Sequence, residues 1–265
     1  MKKYGQHAVI WFVLCFLYLP ILILSFYSFT ESDMIGAVRG FSLDNYRTLF
    51  TEPELLAMMF GTLSLAFMVA VLSVILGTVG AIGSFYSKKG IMKTVEIFNQ
   101  VPVVNADVVT GFSICIFLIV FLHLDKESYI PLIIGQTALC TPFVYLSVMP
   151  RLKMMDNALY EAALDLGCDP KMALRKVILP QVMPGVLSGF MTAITLSLDD
   201  YFIATYLKPA TFDTISTYVV NATRGAHTSI KTALWALSAV MFVLVVVTVT
   251  VANLRTRDEE GGKRA

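Results

Sequence analysis

The chain has 265 residues, of which 57% are hydrophobic and 15% charged, and its mean hydropathy is +0.73. Soluble domains carry about 25% charged residues, so this composition argues against a soluble domain. The net charge of +1 gives no reason to expect a nucleic-acid partner. The four cysteines lack C-x-x-C spacing and nearby paired histidines, so neither a metal site nor a disulfide is predicted.

Apolar runs of about 20 residues recur along the chain, each long enough to cross a hydrocarbon core of about 30 Å as a helix. The first run exceeds the roughly 7–15 apolar residues of a signal peptide, so we expect an uncleaved span. The six predicted spans are Val9–Phe29, Ala57–Tyr86, Val95–His123, Tyr129–Met149, Gln181–Leu207 and Thr232–Leu254. Glycine and proline interrupt the third, which favours a tilted or broken helix. The sequence therefore predicts an all-α integral membrane protein with six transmembrane helices.

Basic residues are distributed unevenly between the two sides of these spans. One side carries 14 of the 20 lysines and arginines, including those at both termini and those in the segment between the fourth and fifth spans. Cytoplasmic loops of membrane proteins carry the excess of basic residues. Both termini and that segment are therefore predicted to be cytoplasmic.

The outer loop after the first span is acidic, with five acidic residues against two arginines over residues 30–56. Within it, the segment Phe41–Tyr46 reads FSLDNY. It is predicted either as a surface loop or as a short amphipathic helix at the membrane interface. The sequence leaves both interpretations open.

A polar, basic stretch separates the fourth and fifth spans. Residues Glu161–Pro180 read EAALDLGCDPKMALRKVILP. Apolar spacing predicts a helix over Asp156–Leu166, and Gly167 can take the left-handed conformation that ends it. The Asp-Pro pair that follows predicts the start of a second helix, which runs through Lys176. With Pro180 expected to mark re-entry into the membrane, residues 156–180 are predicted to form a helix hairpin.

This hairpin resembles the cytoplasmic coupling loop of ABC importer permeases, whose pattern is E-A-A, then Gly, then I-x-L-P. The matching positions are Glu161, Ala162, Ala163, Gly167, Leu179 and Pro180, with Val177 in place of isoleucine. The resemblance implies the type I ABC importer permease architecture, with one transmembrane permease domain over residues 1–265. It also implies that the hairpin docks on a cytoplasmic ATPase dimer. The alternative is an ordinary basic loop that contacts anionic lipid.

Motifs for catalysis and nucleotide binding are absent from the sequence. It contains no G-x-x-x-x-G-K-[ST], H-E-x-x-H or G-x-S-x-G, and its three histidines are far apart. We therefore expect a transport subunit without enzymatic activity and without a cofactor of its own. ATP and magnesium are expected on the partner ATPase. An autonomous channel is the alternative from a different class.

Acidic residues within spans are costly and usually face a bundle interior or a watery path. Asp107 follows a proline-interrupted stretch, and Asp199 and Asp200 lie within the fifth span. Adjacent helical residues point about 100° apart, so one is expected to meet the substrate while the other pairs with a polar neighbour or caps a local break. Carboxylates without matching intramembrane cations favour a cationic cargo, and Tyr201 can add a cation–π contact. Structural hydrogen bonding inside the bundle is the alternative.

The stretch Ser197–Phe202, with the hairpin upstream and the P-x-x-x-x-D segment ending at Asp107, resembles the second permease of bacterial spermidine/putrescine importers. The resemblance implies a polyamine cargo, a second homologous permease, an extracytoplasmic substrate-binding protein and a location among the lipids of the bacterial inner membrane. Importers for amino-acid derivatives, thiamine or iron share this architecture. The cargo therefore stays open between these solutes.

Overall fold

The computed structural model describes residues 2–30, 40–156, 158–224, 235–243, 246–247 and 250. Their regular structure is helical, as predicted. In chain order the helices are α1 (Lys2–Tyr27), α2 (Asp44–Thr51), α3 (Pro53–Phe85), α4 (Lys89–Val104), α5 (Asp107–Cys115), α6 (Ile130–Met154), α7 (Ala158–Asp165), α8 (Pro170–Ala173), α9 (Leu179–Asp199), α10 (Phe202–Leu207) and α11 (Ile215–Arg224). Two π-helical segments, Ile116–Phe121 after α5 and Leu174–Ile178 after α8, extend these elements. The short helix α11 has no counterpart among the predicted elements.

Four helical segments of the described residues are long and apolar enough to cross a membrane: Val9–Tyr27, Pro53–Phe85, Ile130–Met154 and Pro170–Asp199. The pair formed by α4 with α5 and its π-helical extension counts as a fifth if the bent pair is one span. The predicted sixth span, Thr232–Leu254, lies partly outside the described residues, and 235–243 within it are helical. The total of six spans stays a prediction.

The chain forms two compact units. One consists of Met1–Met59 and Tyr218–Val247, and the other of Phe60–Thr217 and Thr248–Ala265. The second unit contains all the residues of the candidate site described below. The single domain over residues 1–265 stays a prediction.

In the first unit, the FSLDNY segment leads into a helix, since α2 begins at Asp44 while residues 41–43 before it are not helical. The side-chain amide of Asn45 donates to the carbonyl oxygens of Ser28, at 3.1 Å, and Thr30, at 3.0 Å. The Tyr46 hydroxyl lies 2.8 Å from the Ser28 hydroxyl. These bonds fix the start of α2 against the end of α1. The second half of the FSLDNY segment is therefore helical, and a location at the membrane interface stays a prediction.

In the second unit, close packing against α6 depends on three glycines. A Cβ atom at Gly77 would lie 2.8 Å from Val144, and one at Gly189 would lie 3.1 Å from the same side chain. A Cβ at Gly185 would lie 2.8 Å from the carbonyl oxygen of Ser147. Membrane helices associate through such small residues because lipid provides no hydrophobic driving force between them. The backbones of α3 and α9 therefore pack closely against α6 at these glycines.

We expect Gly185→Ala to lower the thermal midpoint of the purified chain in detergent. The added methyl meets a backbone oxygen that cannot rotate away, and such overpacking costs about 1–3 kcal/mol. The matched control is Gly80→Ala in α3, where a Cβ meets nothing within 4 Å and alanine is the better helix former by about 1 kcal/mol. Equal midpoints for the two variants would contradict this packing.

The predicted third span, Val95–His123, is two helices rather than one. α4 and α5 differ in direction by 106°. Asn105 and Ala106 between them adopt extended backbone conformations, with ψ of 151° and 134°. The Asn105 amide donates to the Thr110 hydroxyl at 3.2 Å, which ties the break to the first turn of α5. The broken helix that glycine and proline indicated is thus present.

The first hairpin helix, α7, ends as predicted. Gly167 has φ of +83°, the left-handed region that side chains with a Cβ rarely adopt. Its N–H donates to the carbonyl of Leu164 at 2.9 Å, and the N–H of Cys168 donates to Ala163 at 3.0 Å. These two bonds form the Schellman motif that ends many helices at a glycine.

The second hairpin helix does not end at Lys176, so the predicted end of this helix is wrong, whereas re-entry into the membrane at Pro180 stays a prediction. α8 continues through the π-helical segment directly into α9, so Pro170–Asp199 is one helix of 30 residues. A proline inside an α-helix removes one hydrogen bond and clashes with the carbonyl four residues earlier. The π-helical turns place an extra residue in the turn just before Pro180. The helix therefore accommodates the proline without ending.

Candidate functional site

The predicted fifth span breaks between α9 and α10, and Asp200 lies at the break. Its carboxylate is buried. One oxygen accepts a hydrogen bond from the N–H of Ile203 at 3.1 Å, and the other accepts from Ala204 at 3.0 Å. The first N–H groups of a helix have no partner within the helix, and a side-chain oxygen at this position satisfies them. Asp200 thus takes the capping role that the sequence left open for one of the two aspartates.

The other side of the break is satisfied from α11. The last carbonyls of a helix also lack partners within it. The Leu198 carbonyl, in the last turn of α9, accepts a hydrogen bond of 2.7 Å from the Ser216 hydroxyl. Irregular backbone at membrane depth is tolerated only where its polar groups are satisfied by protein or water. Both sides of this break have such partners.

Gln136 of α6 joins the two sides, and the sequence analysis missed it. Its side-chain N–H donates to the Asp200 carboxylate at 2.8 Å, and its amide oxygen accepts from the Ser197 hydroxyl at 2.8 Å. A carboxylate can only accept, so the NH₂ end must face Asp200. The available signal was a lone amide in the apolar run Pro131–Cys140, since polar groups within spans tend to be functional.

The break lies next to the start of α5. A Cβ at Gly111 would lie 3.4 Å from the backbone nitrogen of Ile203. Further along both helices, the Cys115 thiol donates to the carbonyl of Tyr206 at 3.8 Å. Because the contacts follow the same order along the two helices, α5 and α10 run parallel. Their N-terminal ends therefore lie side by side.

Three aspartates consequently lie at neighbouring helix ends. Asp107 is the first residue of α5 and Asp199 the last of α9, and both are exposed. Tyr201 is half-buried, with its ring centroid 5.3 Å from that of Phe202. The structure thus places Asp107 at a helix end that neighbours the break and leaves two of the three carboxylates accessible.

The six predicted coupling positions do not all lie on one surface. Ala163 is buried, whereas Glu161, Ala162 and Gly167 are exposed on the hairpin. Leu166 at the tip is 85% exposed. The last two positions, Leu179 and Pro180, belong to the first turn of α9, and Leu179 packs against the core of the unit. The accessible positions of the motif are therefore Glu161, Ala162 and Gly167 on the hairpin and Pro180 at the start of α9.

Contacts between neighbouring helices hold the hairpin end of the unit together. The ring of Tyr160 in α7 lies 5.2 Å from that of Tyr86, just after α3. Lys153 in the last turn of α6 forms an ion pair of 2.6 Å with Glu96 of α4. α3 and α7, and separately α4 and α6, are therefore tied together at this end.

Comparison with known proteins identifies the family. A family described as "Binding-protein-dependent transport system inner membrane component" matches residues 1–257. The chain belongs to this family. It is a multi-pass inner-membrane permease of a binding-protein-dependent ABC importer and is not itself an enzyme. The predictions of an ABC importer permease and of a subunit without enzymatic activity are thus confirmed.

The permease has curated relatives over most of its length. It is 28% identical over 253 residues to the spermidine/putrescine transport system permease protein PotC of Haemophilus influenzae, covering 95% of this chain and 96% of the relative. It is 29% identical over 218 residues to the putrescine transport system permease protein PotI of Escherichia coli K12, covering 79% and 76%. The resemblance to spermidine/putrescine permeases is thus confirmed.

Solved structures share the fold of the permease. A chain of the bacterial alginate ABC transporter, in complex with an alginate-bound periplasmic protein, superposes with a TM-score of 0.71 at 20% identity, covering 97% of this chain and 93% of that one. A chain of the methionine ABC transporter MetNI in an inward-facing conformation gives 0.62 at 17% identity, covering 78% and 98%. At these identities the likeness shows the ABC importer permease fold alone.

Proposed function

We propose that this permease forms half of the path by which polyamines, spermidine and putrescine, enter the cytoplasm. The observation that carries the proposal is the accessible carboxylate of Asp107 at the start of α5, a helix end that neighbours the start of α10, which Asp200 caps. The names of the two relatives support the same cargo, since both are polyamine permeases. Asp107, Asp199, Asp200 and Tyr201 are the proposed substrate path.

The chemistry of these groups suits an alkylammonium ion. A helix N-terminus carries a partial positive charge that favours anions, so a bare helix start would repel a polyamine. Aspartates at the starts of α5 and α10 reverse the local sign of the charge. Tyr201 adds an aromatic face of the kind that binds ammonium groups. The two accessible carboxylates, of Asp107 and Asp199, match a cargo with more than one positive charge.

The hairpin is the proposed contact with a cytoplasmic ATPase dimer. It presents Leu166, Glu161 and Ala162 outward, which offers an apolar tip and a carboxylate for charged hydrogen bonds. The helix Pro170–Asp199 begins in this hairpin and ends at the break, a length of about 45 Å at 1.5 Å per residue. Movement of the docked hairpin is thereby transmitted to the aspartates. In this proposal ATP and magnesium are bound by the ATPase.

The remaining partners are a second, homologous permease and an extracytoplasmic binding protein that delivers the polyamine. Both termini and the hairpin are assigned to the cytoplasm from the distribution of basic residues. This orientation places the hairpin on the side where ATP is available. The binding protein then delivers the polyamine from the opposite side of the membrane. In this proposal the start of α5 lies on the path that the polyamine follows from there.

ATPase activity with a panel of solutes tests the cargo. The assembled importer is assayed with its binding protein and with spermidine, putrescine, thiamine, an amino-acid derivative or ferric iron. We expect spermidine or putrescine to stimulate hydrolysis several-fold and the others to leave it at the basal rate. Stimulation by another member of the panel, with none by a polyamine, would replace polyamines as the cargo.

A further inference from the structure

The break between α9 and α10 depends on a side chain from a third helix. We propose that Gln136 is a positioning residue of the substrate path, which fixes the break and thereby the direction of Asp199 and Tyr201. In the same proposal Asp200 acts through its hydrogen bond to Gln136 and not by contact with the polyamine. We call this hydrogen-bonded pair the Gln136–Asp200 clamp. The inference rests on the proposed function, because it concerns the carboxylates assigned to the cation path.

A single amide group holds both sides of the break. Gln136 is fully buried. Its oxygen accepts from Ser197, in the last turn of α9, and its N–H donates to Asp200, which caps the first turn of α10. The neighbouring Gly135 lies where α10 packs directly on α6, since a Cβ there would overlap the Leu207 side chain. The clamp therefore operates at a point of closest approach between α6 and α10.

The hydrogen bonds of Asp200 leave it little capacity for substrate. Its two oxygens already accept from Gln136, Ile203 and Ala204, and the residue is 9% exposed. An ammonium group bound here would have to reach the one remaining acceptor position of a buried carboxylate or displace one of these donors, which would leave a polar group unpaired at a cost. The neighbouring Asp199 is exposed, so an ammonium group can reach its carboxylate without displacing a buried donor. Substrate contact therefore falls to Asp107 and Asp199, and orientation to the Gln136–Asp200 pair.

Exchanging the carboxylate and the amide tests this assignment. Gln136→Glu alone places two carboxylates against each other. Asp200→Asn alone removes the negative charge and leaves one oxygen to accept from the three donors of Gln136, Ile203 and Ala204. We expect each to reduce polyamine uptake about tenfold or more. The double variant Gln136→Glu with Asp200→Asn restores one amide facing one carboxylate, the bond from Ser197 and a cap for Ile203. It loses only the hydrogen bond from the N–H of Ala204. Uptake by the double variant is therefore expected within about threefold of the original rate.

A second variant separates positioning from a purely structural role. Gln136→Met keeps the side-chain volume but removes both hydrogen bonds. Because spermidine and putrescine differ in the spacing of their ammonium groups, misdirected carboxylates change the ratio of their uptake, expected here by about threefold or more. The control is Ser84→Ala, which removes another buried bond to α6, of 3.0 Å to the Tyr145 hydroxyl. It is expected to change both uptakes by the same factor.

The outcomes distinguish the inference from the cargo. All variants are measured as complexes with the ATPase, the second permease and the binding protein, and uptake is normalised to assembled complex. If the double variant remains inactive or fails to assemble, the exchange does not preserve the clamp and the inference is wrong. An unchanged uptake ratio in Gln136→Met would reduce Gln136 to a structural residue. Absence of polyamine uptake by the unsubstituted importer would instead contradict the cargo, and this inference with it.

Discussion

Asp107→Asn is expected to lower polyamine uptake about tenfold to a hundredfold. The substitution keeps the size and hydrogen-bonding shape of the side chain but removes its charge. Hydrogen bonds to charged groups contribute about 1.5–3 kcal/mol, and each 1.4 kcal/mol is a factor of ten. Because Asp107 is exposed at the start of α5, its neutralisation removes a substrate contact without leaving a buried group unpaired. Initial uptake of labelled spermidine at saturating loaded binding protein is the measurement.

Two further variants isolate the effect of charge in the path. Asp107→Glu retains the carboxylate and is expected to keep a substantial part of the uptake. Asp44→Asn neutralises another aspartate that begins a helix, α2 in the first unit, where the carboxylate accepts from the Ser42 hydroxyl. It is expected to leave uptake near its original rate. Full uptake by Asp107→Asn in an assembled complex would remove this residue from the substrate path.

Gly167→Val is expected to uncouple ATP hydrolysis from transport, with polyamine moved per ATP falling about tenfold. The left-handed conformation costs a residue with a Cβ about 1–2 kcal/mol, and a β-branched side chain is a marked outlier there. The hairpin must relieve this strain by moving its tip, where a Cβ meets no neighbouring atom within 4 Å. Since the chain itself does not crowd this position, the expected defect lies in the orientation of the docking surface. Phosphate release and uptake are measured on the same proteoliposomes.

The matched control at this position is asparagine. Asparagine is enriched in the left-handed region among residues with a Cβ, so Gly167→Asn adds a side chain of similar size with less backbone strain. We expect it to retain most of the coupling. A valine variant that couples as well as the original permease would count against the hairpin as the ATPase contact, and an asparagine variant as impaired as valine would point to crowding by the partner.

The sequence predicted well those features that depend on neighbours along the chain. Apolar runs located the long helices, and the glycine at position 167 predicted the end of α7 because its requirement is local. Asp169 and Pro170 likewise predicted the start of α8, where Asp169 occupies the cap position, with no side-chain cap bond there. These signals need no knowledge of tertiary contacts.

Features that depend on distant partners were not predictable in this way. Pro180 locally signals a helix end, yet the preceding π-helical turns accommodate it. The choice between Asp199 and Asp200 as the capping residue depends on Gln136, which is 64 positions away from Asp200. The helix α11 is short and has polar residues among apolar ones, so no apolar run marked it. The structure was therefore needed to distinguish the accessible Asp107 and Asp199 from the buried Asp200 among the residues of the proposed substrate path.

We propose ATP-driven import of polyamines through this permease. Its most direct test is accumulation of labelled putrescine and spermidine in proteoliposomes that contain the permease, the second permease and the ATPase, with loaded binding protein on the opposite side from ATP. We predict accumulation against a concentration gradient that requires ATP hydrolysis and falls strongly with Asp107→Asn. Equilibration of polyamine without ATP or without the ATPase would indicate an autonomous channel, and no polyamine movement under any condition would contradict the assigned cargo.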